Sequence, residues 1–458
     1  MPPTCESVGG VEIRVLSPTA ILGYGFPLES LRRGLAMEPD VIGVDAGSTD
    51  PGPYYLGEGI PFVSEHNVER DLYFLLKAVG EKGIPLIIGT AGGSGAEPHV
   101  RWLLGVIERV LKRLGARLRV GVIWSDVSKE WLLSKLEEGA YIEDLSGYLG
   151  PLSPSMVKSS TRIVAQLGLE PFMKALKEGF DVIVGGRSVD VAPFASLPVM
   201  KGFDKGLAIH MAKILECGAI AAEPGSGSDG MIGILRKNEF EVIALNPSRR
   251  ATPLSVAEHS LYERTDPYRE YVPGGYVDLS NVTYEESPEG VVVKGARWIE
   301  SDRYLVKVEG VKLVGHRVVV IMGARDPDFI GRLDYLLDSI MGEVKTYYGN
   351  DGFEVHVHVY GRNAVLGPVE PEKTPCHEVC ILLDVIADTP EKAKALASYI
   401  RARLLHIGWP GRKTTAGNVA FPLSPSDLYV GRAYRWSIWH LVELRDPLEL
   451  GKITGGGG

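Results

Sequence analysis

Ile84-Pro85-Leu86-Ile87-Ile88-Gly89-Thr90-Ala91-Gly92-Gly93-Ser94-Gly95-Ala96-Glu97-Pro98-His99 decides how the rest of the chain is read. Its first five residues are short, β-branched and uncharged, the texture of a strand buried on both faces of a parallel sheet. Beyond His99, residues 100–118 repeat apolar positions at helical spacing, with Arg101, Glu108, Arg109, Lys112, Arg113 and Arg117 along the polar side. Strand, glycine turn and helix together make the arrangement at which open α/β sheets bind ligands, because N–H groups at the helix start converge beside the carboxyl edge.

The same texture continues outward in both directions. Residues 11–16 read as a first strand, 28–37 as a helix, and 40–45 as a strand running into Ala46-Gly47-Ser48-Thr49-Asp50-Pro51-Gly52-Pro53, dense in turn formers. After the helix at 65–80 and the glycine turn come a strand at 118–124 ending at Ser125-Asp126, helices at 130–138 and 169–179, and a buried strand at 180–184. That last strand runs into Gly185-Gly186-Arg187-Ser188-Val189-Asp190. Strands alternating with helices predict a parallel sheet with right-handed crossovers. The strand ends at 45–50, 90–97 and 185–190 share one design, and are read as neighbouring rims of one cleft with Asp126 as a fourth contributor.

Past a helix at 205–217 and the polar loop 223–230 the texture changes. Residues 249–264 are helical, but 278–320 read as short strands, an antiparallel β insertion. A smaller module follows: helix 333–342, strands 354–360 and 379–387, helix 389–405 with Thr389 as N-cap and Pro390 at its first position, and strand 434–444. The expected fold class is α/β: a large domain over 1–330 with a mainly parallel sheet flanked by helices plus the antiparallel insertion. A ferredoxin-like α+β module over 331–458 completes it.

Composition narrows the function classes. With 458 residues, 45% hydrophobic and 23% charged, the chain is long enough for two or three globular domains. A net charge of −9 without a basic, aromatic-laced block argues against nucleic acid as a partner. Four cysteines in so long a chain (Cys5, Cys217, Cys376, Cys380) form no disulfide framework and favour a reducing compartment. Residues 1–7 lack a signal-peptide pattern, and no run approaches the length of a spanning helix. The expectation is a cytoplasmic homo-oligomer without a membrane partner, its Gly455–Gly458 tail disordered.

Four stretches together carry a family resemblance: Ile21-Leu22-Gly23-Tyr24-Gly25, Gly43-Val44-Asp45-Ala46-Gly47-Ser48-Thr49-Asp50-Pro51-Gly52-Pro53, Gly89-Thr90-Ala91-Gly92-Gly93-Ser94-Gly95-Ala96 and Gly417-Asn418-Val419-Ala420-Phe421-Pro422. The chain resembles the acyclic terpene utilisation protein A family from about residue 12 through the small module. The resemblance implies a role in bacterial catabolism of branched acyclic terpenoids through CoA thioesters, or in short carboxylic acid metabolism, and a ferredoxin-like C-terminal module. It assigns no catalytic residue, so the candidates come from the residues alone.

The glycine turn is neither a dinucleotide fingerprint, lacking the third glycine, nor a P-loop, lacking Lys-Ser or Lys-Thr. Thr90, Gly92, Gly93, Ser94 and Gly95 with Ser48 and Thr49 make a candidate anion-binding nest; the alternative is that the glycines merely let strand and helix pack closely. Asp45, Asp50, Glu97, His99 and Asp190 are the candidate acid and base groups, against the alternative that such residues satisfy local backbone N–H groups. Arg187 is the guanidinium at a strand end, fit to hold a carboxylate or phosphate, or else to pair with Asp190. Cys376 and Cys380 on an extended segment would lie about 13 Å apart, too far for one zinc ion. His356 and His358 share a strand face about 7 Å apart, a weak alternative to the expectation of no metal, since half-exposed strand residues alternate in the same way.

The cofactor therefore stays unknown: CoA thioester is possible as part of the substrate, and no strong NAD, ATP or zinc motif is present. The expected function is a catabolic enzyme acting on a short or branched carboxylate or its CoA thioester by proton transfer, as a lyase, hydratase or isomerase. Two rivals stand beside it. One is a nicotinamide-dependent oxidoreductase with Asp126 on a ribose; the other is a non-catalytic subunit that binds a carboxylate or scaffolds a partner.

Overall fold

The computed structural model describes residues 12–372, 374 and 376–456. The leader reading at residues 1–7, Cys5, the start of the first strand at Val11, and Gly457 and Gly458 lie outside them. The chain divides into two compact units, one running through Lys312 and again from Trp436, the other Leu313–Arg435. This differs from a division at 330/331, because the last stretch of chain rejoins the first unit.

A ten-stranded sheet forms the first unit's frame. At its centre lie five parallel strands, β1 (Ile13–Ser17), β2 (Val41–Asp45), β3 (Leu86–Gly89), β4 (Val120–Ile123) and β5 (Val182–Gly185), in spatial order β1-β2-β3-β5-β4. Side chains alternate across it. Ile42, Val44, Leu86, Ile88, Val182 and Val184 pack toward the helices Leu28–Ala36, Glu65–Lys82 and Glu97–Leu114. Val41, Ile87 and Ile183 face Glu170–Lys177, Ala192–Met200 and Lys205–Leu215. Burial on both faces is why these runs are continuously apolar.

The sheet is mixed rather than mainly parallel. Met231–Leu235 joins β1 antiparallel, followed outward by Glu239–Ala244, Val291–Lys294 and Thr283–Glu286. Part of the expected insertion thus extends the main sheet; Arg269–Val272, Gly275–Asp278 and Arg297–Glu300 form a separate three-stranded antiparallel sheet. At the other edge Ile453–Gly456 pairs antiparallel with β4, so Gly455 and Gly456 are strand residues, not a disordered tail. Trp124 Nε1–H anchors that strand by donating to Thr454 Oγ1 at 2.8 Å. A strand at Arg162–Gln166, not read from the sequence, pairs antiparallel with the first part of Tyr304–Ala324, setting Glu309 opposite Val164. Among the described residues no helix is long and apolar enough to cross a membrane.

The second unit has the order β-α-β-β-α-β: residues 313–324, Pro327–Tyr348, Phe353–Tyr360, Val379–Ala387, Pro390–His406 and residues 427–435. Phe353–Tyr360 pairs antiparallel with Val379–Ala387, which pairs antiparallel with Tyr304–Ala324. Both helices lie over this sheet: Leu333, Leu336, Leu396 and Ile400 share one core with Val318, Val320, Leu383 and Val385. Thr389 caps its helix as read, its Oγ1 accepting the Lys392 N–H at 3.2 Å.

Candidate functional site

Because β2, β3 and β5 are adjacent and parallel, the polar turns that follow them leave from one edge of the sheet. A cavity of about 310 Å³ opens there, lined by Asp45, Ser48, Asp50, Asp190, Glu216 and Glu263 together with Tyr24, Phe62, Cys217 and Tyr262. Three of the five expected acid or base groups, Asp45, Asp50 and Asp190, are therefore brought together.

Asp45 is the last residue of β2, is 5% exposed, and its Oδ1 has no hydrogen-bond partner. Burial, then the charges of Asp190 and Glu216, holds its carboxyl well above the usual carboxylate range. Asp190 Oδ1 likewise lacks a hydrogen bond; Arg187 Nη1 stands 3.6 Å away, too far for one. Glu216 follows the buried helix Lys205–Leu215, and burial pushes it up to about 7 against the opposing pull of Lys213, whose Nζ lies 2.6 Å from its Oε1. Lys213 Nζ also reaches Glu263 at 3.4 Å. Glu263 holds φ +60, a left-handed backbone uncommon for a residue with a side chain. Burial raises the Cys217 thiol, so it stays protonated rather than nucleophilic. A second cavity of about 260 Å³, lined by Lys213, Arg264 and Glu270, shares Asp190 and Glu263 with the first.

Glu216, Glu263 and Lys213 were not legible as site residues. Only Lys213 left a signal: it is the single formal charge in Gly206-Leu207-Ala208-Ile209-His210-Met211-Ala212-Lys213-Ile214-Leu215, a stretch apolar apart from His210 in which every one of these residues is buried. A charge on such a helix must have a buried partner.

Other expected residues stand elsewhere. Glu97 is exposed, pairs with Arg101 at 2.6 Å, and donates its backbone N–H to Asp126 Oδ1 at 3.1 Å. Asp126 thereby serves the start of helix Glu97–Leu114. His99 is fully buried on that helix, its Nε2 3.2 Å from the Tyr55 carbonyl and 3.1 Å from that of Ile60. Burial lowers its pKa to about 4, so it is a neutral imidazole that ties down residues 55–60.

The glycine turn is packed rather than open. Gly93 donates its N–H to the Thr90 carbonyl and Gly95 to that of Ala91, each at 3.0 Å, and residues 91–96 are all buried. A Cβ on Gly93 would lie 2.2 Å from Phe62, and one on Gly95 2.0 Å from the Arg187 nitrogen; both glycines have positive φ. The glycines thus admit a close approach of Phe62 and of the turn after β5. Thr90, itself at φ +44, accepts the Ser188 N–H on its Oγ1 at 3.3 Å. Neither Gly92 nor Ser94 lines the cavity. Ser48 Oγ donates to Asp50 Oδ2 at 2.6 Å and accepts the Asp50 N–H, a local turn bond.

Arg187 is 2% exposed and its guanidinium is already engaged. Nε–H donates to Glu309 Oε2 at 2.9 Å and Nη1–H to the Ser188 carbonyl at 3.1 Å. Glu309, fully buried, also takes Lys307 at 2.7 Å and the Thr49 hydroxyl at 2.9 Å. This network joins the turns after β2 and β5 through buried bonds. Neither the anion contact nor the Asp190 pair read from the sequence names its main partner.

Among the described residues the carboxylates spaced to share one ion are Asp190, Glu216 and Glu263. The histidines are not in that group: His356 is half-exposed and lies 3.3 Å from Glu354. Cys376 and Cys380 are also outside it.

Compared with known proteins, residues 65–226 and 246–422 match the family model described as acyclic terpene utilisation family protein AtuA. No curated protein and no solved structure matches.

Proposed function

This chain belongs to the acyclic terpene utilisation family, and on that footing we propose that it is a catabolic enzyme. Its substrate is a short or branched carboxylate or the CoA thioester of one, and the step is proton transfer of lyase, hydratase or isomerase type. The observation that carries the reading is the setting of Asp45: a nearly buried carboxyl with an unpartnered oxygen, at the carboxyl edge of a parallel sheet, lining a cavity with Asp190 and Glu216. A carboxyl whose proton is held more tightly than usual by burial and by neighbouring acids is a stronger base than an ordinary carboxylate, as removal of a proton next to a carbonyl requires. Asp190 and Glu216 tune that proton through their charges, and Tyr24 on the cavity wall offers its hydroxyl to a developing enolate-like oxygen. Arg187 acts by fixing the turn that bears Asp190, rather than by touching the substrate. The second unit, by its β-α-β-β-α-β order, we read as a ferredoxin-like module.

The test is turnover on a panel of short and branched free acids and CoA thioesters, followed by mass spectrometry for gain or loss of water or for an isomer. Asp45→Asn should lower turnover by about a hundredfold or more while the fold is kept, and Glu97→Gln should leave it unchanged. Wild-type turnover in Asp45→Asn, or stoichiometric consumption of a nicotinamide cofactor, would overturn the reading.

A further inference from the structure

We propose that Asp190, Glu216 and Glu263 bind one divalent cation of the hard, oxygen-preferring class: Mg²⁺, Mn²⁺ or Ca²⁺. Each offers an oxygen within 4.8 Å of the other two. Three atoms so placed leave a central point no more than about 2.8 Å from each, and small side-chain adjustments bring that to the 2.0–2.6 Å of such bonds. The donor set is all carboxylate, without thiolate or imidazole, which selects hard cations over zinc or copper.

A second observation points to the same place. Asp45 is 5% exposed, lines the same cavity as the three, and has an oxygen with no hydrogen-bond partner. A buried carboxyl oxygen without a hydrogen-bond partner is costly unless a proton or a positive charge meets it. The protein's own cations meet the need only in part: Lys213 reaches Glu216 and Glu263, and Arg187, 3.6 Å from Asp190, gives its Nε–H to Glu309. Four carboxylates, those of Asp45, Asp190, Glu216 and Glu263, thus share one ammonium and a guanidinium that also serves Glu309. A divalent cation offsets the excess, and its remaining coordination positions are open to water or to a substrate carboxylate, which the acidic lining would otherwise repel. That last role rests on the proposed function; the binding itself does not.

The experiment uses the full chain stripped with a chelator and titrated with Mn²⁺, free Mn²⁺ being read by electron paramagnetic resonance. One Mn²⁺ per chain is expected, displaced by Mg²⁺ or Ca²⁺. Asp190→Asn and Glu263→Gln should each weaken binding at least tenfold, with folding checked by circular dichroism; the half-exposed Glu263 makes its variant the safer of the two. A His356→Ala, His358→Ala variant should bind as wild type. Absence of Mn²⁺ binding at millimolar concentration, wild-type affinity in both carboxylate variants, or loss of binding in the histidine variant would overturn the proposal. Turnover without metal binding would sink the cation and spare the proton transfer; metal binding without turnover on any acid or thioester would do the reverse.

Discussion

Replacing Glu309 with glutamine removes the charge that holds the floor of the site together, and the structure sets the size of the effect. Glu309 is fully buried and bonded to Arg187, Lys307 and Thr49. Burial alone would raise its pKa, but Arg187 and then Lys307 outweigh it and hold the carboxyl at about 2, against an ordinary 4.5. That gap corresponds to about 3 kcal/mol of stability at pH 7. Because the folded-state pKa is depressed, the contribution is complete above pH 4.5 and is lost as pH falls toward 2. An independent expectation agrees: removing one partner of a buried ion pair costs about 3–5 kcal/mol, since the other charge is left unpaired. Urea unfolding of wild type and Glu309→Gln, followed by tryptophan fluorescence, should therefore differ by about 3 kcal/mol at pH 7, and the difference should shrink as pH is lowered below 4.5. The double variant Arg187→Met, Glu309→Leu should cost less than the sum of its single changes, because neither charge is then stranded. A loss under about 1 kcal/mol at pH 7, the range of an exposed pair, or a difference that does not change down to pH 3, would show that Glu309 is not held by a buried ion pair.

Three more predictions concern buried residues outside the cavity lining. His99, with its pKa lowered to about 4 from 6.5, binds fewer protons folded than unfolded between those values, so stability should fall with acidification there by up to about 1.4 kcal/mol per pH unit. His99→Gln should flatten this slope in melting curves from pH 7 to 5, and an unchanged slope would contradict it. Gly95→Ala places a methyl 2.0 Å from the Arg187 nitrogen on a φ of +67, and should cost about 2–5 kcal/mol through strain and overpacking; a cost within about 0.5 kcal/mol, the range of a featureless surface site, would show the turn to be looser than described. Asp71, fully buried, accepts the Gly23 and Gly25 N–H groups at 2.8 and 3.1 Å and so fixes the loop bearing Tyr24. Asp71→Asn should lose about 1.5–3 kcal/mol and speed proteolysis at that loop, whereas an unchanged cleavage rate would mean the loop is held by other bonds.

The parallel centre of the fold was readable because two-sided burial leaves its mark on each strand by itself: Leu86-Ile87-Ile88 and Val182-Ile183-Val184 have no polar member. The carboxyl-edge location of the polar turns followed from parallel pairing. The antiparallel flank was not readable in this way, since Met231–Leu235 and Ile453–Gly456 attach to β1 and β4 through pairings that local texture does not encode. In the site, Asp45, Asp50 and Asp190 could be found because each ends or closely follows a strand. Glu216 and Glu263 follow helices, and meet Asp190 only through tertiary packing. Glu97 and His99 misled for a related reason: a residue one position into a helix can face solvent, and one two positions further can face the core. The glycines of 92–95 admit two physical explanations that the sequence cannot separate, and groups remote in the chain decide between them by filling the space, Phe62 at Gly93 and the Gly186–Arg187 backbone at Gly95.

Asp45 is the group proposed to move a proton at the carboxyl-edge cavity. The most direct test is incubation in D₂O with branched short-chain acyl-CoA thioesters and the corresponding free acids, reading deuterium at the α-carbon by NMR for wild type, Asp45→Asn and Glu97→Gln. Wild type and Glu97→Gln should wash deuterium into at least one of these compounds at similar rates, with Asp45→Asn slower by about a hundredfold or more. Exchange that persists in Asp45→Asn, or that is lost in Glu97→Gln while Asp45 is intact, would contradict that role.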